Sequence, residues 1–158
     1  MTNQKEAAPP TGGMEMESPR TGPKDCRLLE FPAFTDERGT LSFLEPGKHL
    51  PFEIRRIFYL YDVPAGQKRA AHALIKCRQC LVAIAGSFDV VLDDGTTRQT
   101  YHMEKHNVGL YVPAMVWREV LNFSAGAVCL VLASEVFDPD DYYEDYASFV
   151  IAVGGRPK

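Results

Sequence analysis

Residues 80–95 carry the sequence CLVAIAGSFDVVLDDG, and this stretch decides the fold class. Two apolar, β-branched runs flank Gly86-Ser87, which is the pattern of a β-hairpin with a tight turn. Asp93-Asp94-Gly95 marks a second turn at the end of the second run. The stretch therefore predicts a hairpin of strands over 80–85 and 88–92.

Similar runs occur on both sides of this hairpin, and turn residues separate them. We predict further strands over 28–34, 40–44, 54–63, 108–112, 116–123 and 127–133. At least eight short strands at regular spacing favour a jelly roll or barrel over a βαβ sheet.

The C-terminal region has a different pattern. Asp138 is a typical N-cap residue, and Pro139 suits the first helical position. Aromatic and apolar residues follow at helical spacing, namely Tyr142, Tyr143, Tyr146, Phe149 and Val150. We predict a short C-terminal helix whose aromatic stripe packs on the strands.

The length of 158 residues suits one domain. Residues 1–25 are rich in Pro, Gly and Met without periodicity, so we expect a disordered leader before a single domain over 26–158. The net charge of -4 argues against a nucleic-acid partner, because phosphate binding needs a basic face. No apolar run approaches the length of a membrane span, and no signal peptide is visible, so we expect a cytoplasmic protein with no membrane partner.

Two spaced motifs match those of the cupins. The first cupin motif runs Gly, five residues, His-x-His, three or four residues, Glu, six residues, Gly. At its positions this chain has Gly66, His72, Leu74, Gln79 and Gly86. The spacing fits, but leucine replaces the second histidine and glutamine replaces the glutamate.

The second motif runs from Gly109 through Pro113 to Arg118 and Asn122, with arginine at the histidine position. Of the four usual cupin ligand positions, only His72 retains a metal ligand, and the guanidinium of Arg118 would repel a cation. We therefore expect no metal and no cofactor. Cys77 and Cys80 form one isolated C-x-x-C in an apolar stretch that we predict to be strand, which favours buried thiols over a zinc or redox site.

A narrower resemblance covers residues 28–149. The chain resembles the WxcM-like cupins, which include the nucleotide-sugar 3,4-ketoisomerases of the QdtA and FdtA type. The stretches that carry the resemblance are Asp36-x-Arg38-Gly39, 54–59, 69–73, 86–95, 108–113, Val116-Trp117, 131–135 and 140–142.

The resemblance implies an all-β cupin jelly roll, or double-stranded β-helix barrel, that forms a homodimer without metal. It implies a dTDP-linked 4-keto-6-deoxy sugar as substrate, whose ketone moves between C4 and C3 through an enediol. His72 matches the first motif histidine and is the candidate acid/base. Tyr59 is the candidate proton donor beside it.

The remaining candidates bind the substrate. Guanidinium groups match phosphate oxygens, so we expect arginines to hold the diphosphate. Arg55 and Arg56 are adjacent on one strand, so only one of them faces the barrel, and the resemblance favours Arg56. The predicted substrate-binding residues are Arg38, Arg56, Arg69, Gln79, Trp117 and Arg118.

Leu74 keeps alternatives open, because leucine cannot carry a proton. The first alternative is a non-catalytic sugar-nucleotide binding module. Others are a related epimerase, which would share the enediol chemistry, and a metal-dependent cupin oxygenase.

Overall fold

The computed structural model of the protein describes residues 22–154. It contains twelve strands, one 3-10 turn at Pro139–Asp141 and one α-helix. The strands are β1 (Arg27–Glu30), β2 (Ala33–Asp36), β3 (Gly39–Ser42), β4 (Arg56–Leu60), β5 (Arg69–Leu74), β6 (Gln79–Ala85), β7 (Phe88–Asp93), β8 (Arg98–Met103), β9 (Val108–Val112), β10 (Trp117–Leu121), β11 (Val128–Ala133) and β12 (Tyr142–Tyr143), and the helix is α1 (Tyr146–Ala152).

Two five-stranded antiparallel sheets form the body of the domain. Sheet 1 has the order β1-β9-β6-β11-β4, and sheet 2 has the order β12-β5-β10-β7-β8. The apolar core lies between them, and its buried side chains come from both sheets, for example Leu81 and Val131 from sheet 1 and Val90 and Val120 from sheet 2. The predicted all-β, cupin-like class is confirmed, although among residues 22–154 the two sheets do not join into one closed barrel.

The predicted hairpin over 80–92 is wrong in its pairing. Both strands exist, but β6 pairs with β9 and β11, whereas β7 pairs with β8 and β10. The chain crosses from one sheet to the other at Gly86, whose φ of 60° suits glycine. Ser124 holds this corner, because its hydroxyl accepts the Ser87 amide at 2.9 Å. Local pattern identified the strands, and only the long-range partners decide which sheet each strand joins.

Other predictions needed smaller corrections. The sequence patterns missed β5 and β8, and the predicted strand 28–34 is divided between β1 and the separate two-stranded hairpin β2–β3. Cys77 lies in a bend before β6, so it does not share a strand with Cys80. Residues 22–25 form turns, and the Lys24 amide donates to the Asp94 carboxylate at 2.8 Å. The rest of the predicted leader, 1–21, lies outside the described residues.

No helix within residues 22–154 is long and apolar enough to cross a membrane.

The predicted C-terminal helix begins later than expected. Asp138 caps only the 3-10 turn, and the chain then extends as β12, which pairs with Leu74 and Ala73 of β5. The helix α1 starts at Tyr146, with Asp145 as its N-cap. Strand pairing with β5 overrides the local helical pattern over residues 142–145.

Asp141 fixes this segment to the end of β5. Its buried carboxylate accepts the amides of Lys76 and Cys77 at 2.7 and 3.1 Å. Its backbone carbonyl accepts the amide of Ile75 at 2.9 Å. Three hydrogen bonds from one residue therefore join the C-terminal segment to the turn between β5 and β6.

We predict that Asp141→Ala lowers the free energy of unfolding by about 1–3 kcal/mol, because two amides in the turn lose their acceptor. Chemical denaturation measures this change. Asp140→Ala is the matched control, since Asp140 is exposed, and it should change the free energy by less than about 0.5 kcal/mol. Equal effects of the two substitutions would contradict the role assigned to Asp141.

Candidate active site

His72 and Arg118 are direct neighbours across two paired strands. Arg118 of β10 lies opposite His72 of β5 in the antiparallel register. Side chains of opposed residues share one face of a sheet, and Val120, two residues after Arg118, belongs to the core. Both side chains therefore point into the space between the sheets.

Arg118 is the largest fully buried side chain among the described residues, with 1% exposure. Its Nη1 donates to the Oε1 of Gln79 at 2.6 Å, and its Nη2 donates to the carbonyl of Val116 at 3.0 Å. Its Nε has no hydrogen-bond partner. Burial lowers the pKa of Arg118 to about 10, so the guanidinium is still charged at pH 7. The hydrogen-bond partners of this buried cation are neutral oxygens, which leaves its charge available to an anionic ligand.

The facing sheet supplies a second row of site residues. Arg56 of β4 and Gln79 of β6 both pair with Ala133 of β11, so the three residues lie side by side on the inner face of sheet 1. The Arg56 guanidinium lies over the rings of Phe58 and Phe137, at 5.2 and 5.6 Å from their centroids. Its Nε is also buried without a partner. The hydrogen bond between Gln79 and Arg118 connects the two sheets at this point.

Tyr142 completes the cluster, and sequence reasoning missed it. Its ring centroid lies 4.9 Å from that of His72 in an edge-to-face arrangement. Its register partner on β5 is Leu74, so the ring packs beside the leucine that replaces the second motif histidine. The helical spacing of the region assigned Tyr142 to core packing. The only contrary signal was its place in the stretch 140–142 that carries the family resemblance.

The surroundings of His72 favour its neutral form. Burial, followed by the positive charge of Arg118, lowers the pKa of His72 to about 4. A hydrogen bond with the backbone of Ala70 opposes these effects only in part. At pH 7 the imidazole is therefore uncharged, with one nitrogen free to accept a proton.

Three predicted site residues lie away from His72. Tyr59 is 59% exposed on β4 and, with Lys68 and Arg69, lines a groove of about 500 Å³ along the connection from β4 to β5. Arg38 lies on the β2–β3 hairpin and pairs with Asp36 at 2.5 Å. Trp117 faces the opposite side from Arg118, and its ring packs against Tyr146 and Phe149. Their roles in catalysis or binding stay predictions.

The described residues hold no group of three or more His, Cys, Asp or Glu side chains arranged to bind a metal ion. At the cupin ligand positions, Leu74 packs against Phe58 and Tyr142, and Gln79 is engaged with Arg118. The donors present do not form a metal site, because the central charged group is itself a cation.

Comparisons with known proteins agree on one family. The family model FdtA, described as WxcM-like, C-terminal, matches residues 24–154. A curated relative, TDP-4-oxo-6-deoxy-alpha-D-glucose-3,4-oxoisomerase of Aneurinibacillus thermoaerophilus, is 39% identical over 123 residues, which cover 78% of this chain and 88% of that protein.

Solved structures give the same result. A 3,4-ketoisomerase from Helicobacter canadensis superposes with a TM-score of 0.80 at 41% identity, covering 82% of this chain and 98% of that chain. QdtA, a sugar 3,4-ketoisomerase from Thermoanaerobacterium thermosaccharolyticum solved in complex with TDP, gives a TM-score of 0.81 at 31% identity. That match covers 83% of this chain and 96% of that chain.

We predict that His72 stays neutral down to about pH 5 and takes up a proton only near pH 4, as followed by NMR titration of the histidine ring signals. Arg118→Gln should raise this pKa, because it removes a nearby positive charge, but not to the ordinary value, since burial remains. His102 is the internal control. Its hydrogen bond to the Asp89 carboxylate raises its pKa above the ordinary value. A His72 that titrates together with His102 would contradict the described environment.

Proposed function

The chain belongs to the FdtA family of WxcM-like domains, and from this premise we propose that it is a metal-independent sugar-nucleotide 3,4-ketoisomerase. The substrate we propose is a dTDP-linked 4-keto-6-deoxyglucose, the class of compound named for its relatives. One observation carries the proposal. A neutral histidine lies opposite a buried arginine whose hydrogen-bond partners within residues 22–154 are neutral oxygens.

The reaction needs two proton transfers at carbon. A base removes the proton from C3, next to the C4 ketone, and the electrons shift to give an enediolate across C3 and C4. A proton is then delivered to C4, and the hydroxyl proton of O3 is transferred to O4. The product is the 3-keto isomer, with no net gain or loss of atoms.

His72 suits the role of base. The imidazole is unprotonated at neutral pH, as a base must be, and its pKa of about 4 in the free protein makes it a weaker base than a histidine with a pKa near 7. A neutral imidazole carries one protonated nitrogen and one nitrogen with a free lone pair, and the second can accept the proton.

Arg118 suits the role of electrostatic stabiliser. Negative charge develops on the sugar oxygens when the enediolate forms, and a fixed cation in a water-poor space stabilises such charge strongly. The contacts with Gln79 and Val116 hold the guanidinium in place before the substrate arrives. The interaction therefore needs little reorganisation during the reaction.

Tyr142 suits the role of second proton carrier. Leu74 cannot transfer a proton, and Tyr142 is the ionisable side chain that packs beside it and against His72. The phenol also lies close enough to Arg118 to influence its pKa. We assign to Tyr142 the proton delivered to the far side of the enediolate.

The nucleotide part of the proposed substrate carries negative charge on its diphosphate, and arginine side chains near the cluster would bind this charge. Arg56 lies beside Gln79 across Ala133 of β11, and Arg69 lies on β5 with His72; guanidinium groups of both suit phosphate oxygens. Nucleotide sugars of this class supply deoxysugars for surface polysaccharides such as lipopolysaccharide, so the proposal includes a cytoplasmic location. Detection of the protein in the membrane fraction of lysed cells, and not in the cytosol, would contradict that part.

We predict that the protein exchanges the C3 proton of dTDP-4-keto-6-deoxyglucose in deuterated water and forms a 3-keto product, as seen by proton NMR. His72→Ala should slow both changes by about 10²–10⁴-fold, because the general base is lost. His102→Ala is the matched control and should leave the rate unchanged, since His102 is exposed on β8.

Tyr142→Phe separates the two proton transfers in the same assay. It should retain exchange at C3 and lose about 10²-fold in product formation, because the first transfer needs only His72. Loss of exchange and product to the same degree would remove Tyr142 from its assigned role and leave the His72 assignment intact.

A binding module is the second candidate function, and Leu74 is the residue that favours it. Tight binding of the nucleotide sugar without any exchange at C3 would replace the ketoisomerase proposal with this one.

We also propose a homodimer. The β2–β3 hairpin forms its own two-stranded sheet, and such a hairpin is only marginally stable in water by itself. Phe34 and Leu41 are register partners on one of its faces and are 62% and 61% exposed, and Phe43 stacks on Phe34. A second copy of the chain would cover this apolar face, as closed symmetric contacts commonly do.

We predict that Leu41→Glu converts a dimer into a monomer, because it places a charge in an apolar contact. Light scattering after size-exclusion chromatography measures the mass. Thr40→Glu is the control, since Thr40 lies on the other face of the hairpin and pairs with Thr35. A wild-type protein of monomer mass would overturn the dimer proposal.

A further inference from the structure

Two successive alanines immediately before His72 have left-handed backbone conformations. The φ angles are 67° at Ala70 and 63° at Ala71. This conformation is unfavourable for a residue with a side chain relative to the right-handed region. Both alanines are exposed, so no packing of their methyl groups compensates for the cost. Such strain persists where the surrounding structure requires a particular geometry.

The strand register shows what the conformation achieves. On β10, Arg118 pairs with His72, and the next residue, Glu119, pairs with Ala70. Ala71 is therefore an additional residue without a partner, which defines a β-bulge in β5. The regular pairing continues on both sides, with Ala73 opposite Trp117 and Arg69 opposite Val120.

The bulge changes which side chains share a face. Arg69 and His72 are three residues apart, and in a regular strand they would point to opposite faces. Their partners Val120 and Arg118 are two residues apart on β10, so both face the inside. With Ala71 out of the ladder, Arg69 and His72 point to the same side.

The bulge also contacts His72 directly. The backbone of Ala70 lies close enough to the imidazole to raise the pKa of His72, against the larger effects of burial and Arg118. On the other side of His72, Ala73 is packed against Trp117 and Phe149, and Leu74 against Phe58 and Tyr142. His72 is thus held between a packed strand end and the bulge.

We infer that the Ala70–Ala71 bulge is a positioning element that places the proton-transfer group His72 and the anion-binding group Arg69 on one face of β5. The substrate then spans the bulge, with its keto sugar at His72 and its diphosphate at Arg69. This inference rests on the proposed function for the identity of the ligand. The bulge itself is a property of β5 and β10 and can be tested without turnover.

The test compares substitutions at Ala71 that differ in their tolerance of the left-handed conformation. Ala71→Gly keeps the bulge, since glycine adopts this conformation readily, and Ala71→Val opposes it. Ala33→Val is the matched control, because Ala33 is an exposed strand residue outside the left-handed region. The readouts are the NMR titration and ring-nitrogen signals of His72, the Kd for thymidine diphosphate, and kcat for the ketosugar.

We expect Ala71→Val to move the titration of His72 towards that of an ordinary histidine and to weaken thymidine diphosphate binding about tenfold. It should also lower kcat about 10²-fold, which is the size of effect that a small displacement of a catalytic group produces. Ala71→Gly and Ala33→Val should leave all three readouts at wild-type values. If Ala71→Val does not fold, Ala71→Thr provides the same comparison with a smaller β-branched side chain.

A folded Ala71→Val or Ala71→Thr protein with unchanged His72 titration and unchanged nucleotide affinity would overturn the inference. Failure of the ketoisomerase proposal has a different signature, since the wild-type protein would then show no turnover while the effects on titration and nucleotide binding remain.

Discussion

The buried guanidinium of Arg118 is the constraint on which the site depends. It lies on β10 of one sheet, and its hydrogen bond to Gln79 reaches β6 of the other, so it fixes the separation of the sheets at this end of the domain. The same charge helps to keep His72 neutral. Its hydrogen-bond partners, Gln79 and the Val116 carbonyl, are uncharged, so they do not neutralise the guanidinium. One side chain therefore links the two sheets at the site, adds to the effect of burial on the protonation state of His72, and favours a ligand with negative charge.

The part of the site that can be predicted from the sequence is the part that depends on the spacing between motif residues. Motif distances placed His72, Gln79 and Arg118 at cupin ligand positions, and the structure brings these three together. The strands themselves follow from β-branched runs bounded by turn residues. Spacing also indicated that the metal ligands are replaced, and the residues present at those positions form a hydrogen-bonded pair and an apolar contact.

The unpredicted part depends on long-range pairing. The face to which Tyr59 points follows from the register of β4 against β11, which no local pattern records. Tyr142 joins the site because β12 pairs with β5, in a segment whose local pattern is helical. The bulge at Ala71 has no signal in the sequence, since alanine is not one of the residues, such as Gly, Asn and Asp, that are typical of a left-handed backbone. In each case the position is decided by pairing with residues between 46 and 71 places distant in the chain.

The pairing of β12 with β5 has a consequence for local opening of the domain. β12 contains two residues and lies at the edge of sheet 2, where it pairs with β5 alone. A short edge strand separates from its neighbour at a lower free energy than strands that are paired on both sides. Such local opening would move Tyr142 away from His72 while β5, β10 and β7 stay paired. The proton-transfer pair would then be lost in a molecule whose central strands are still folded.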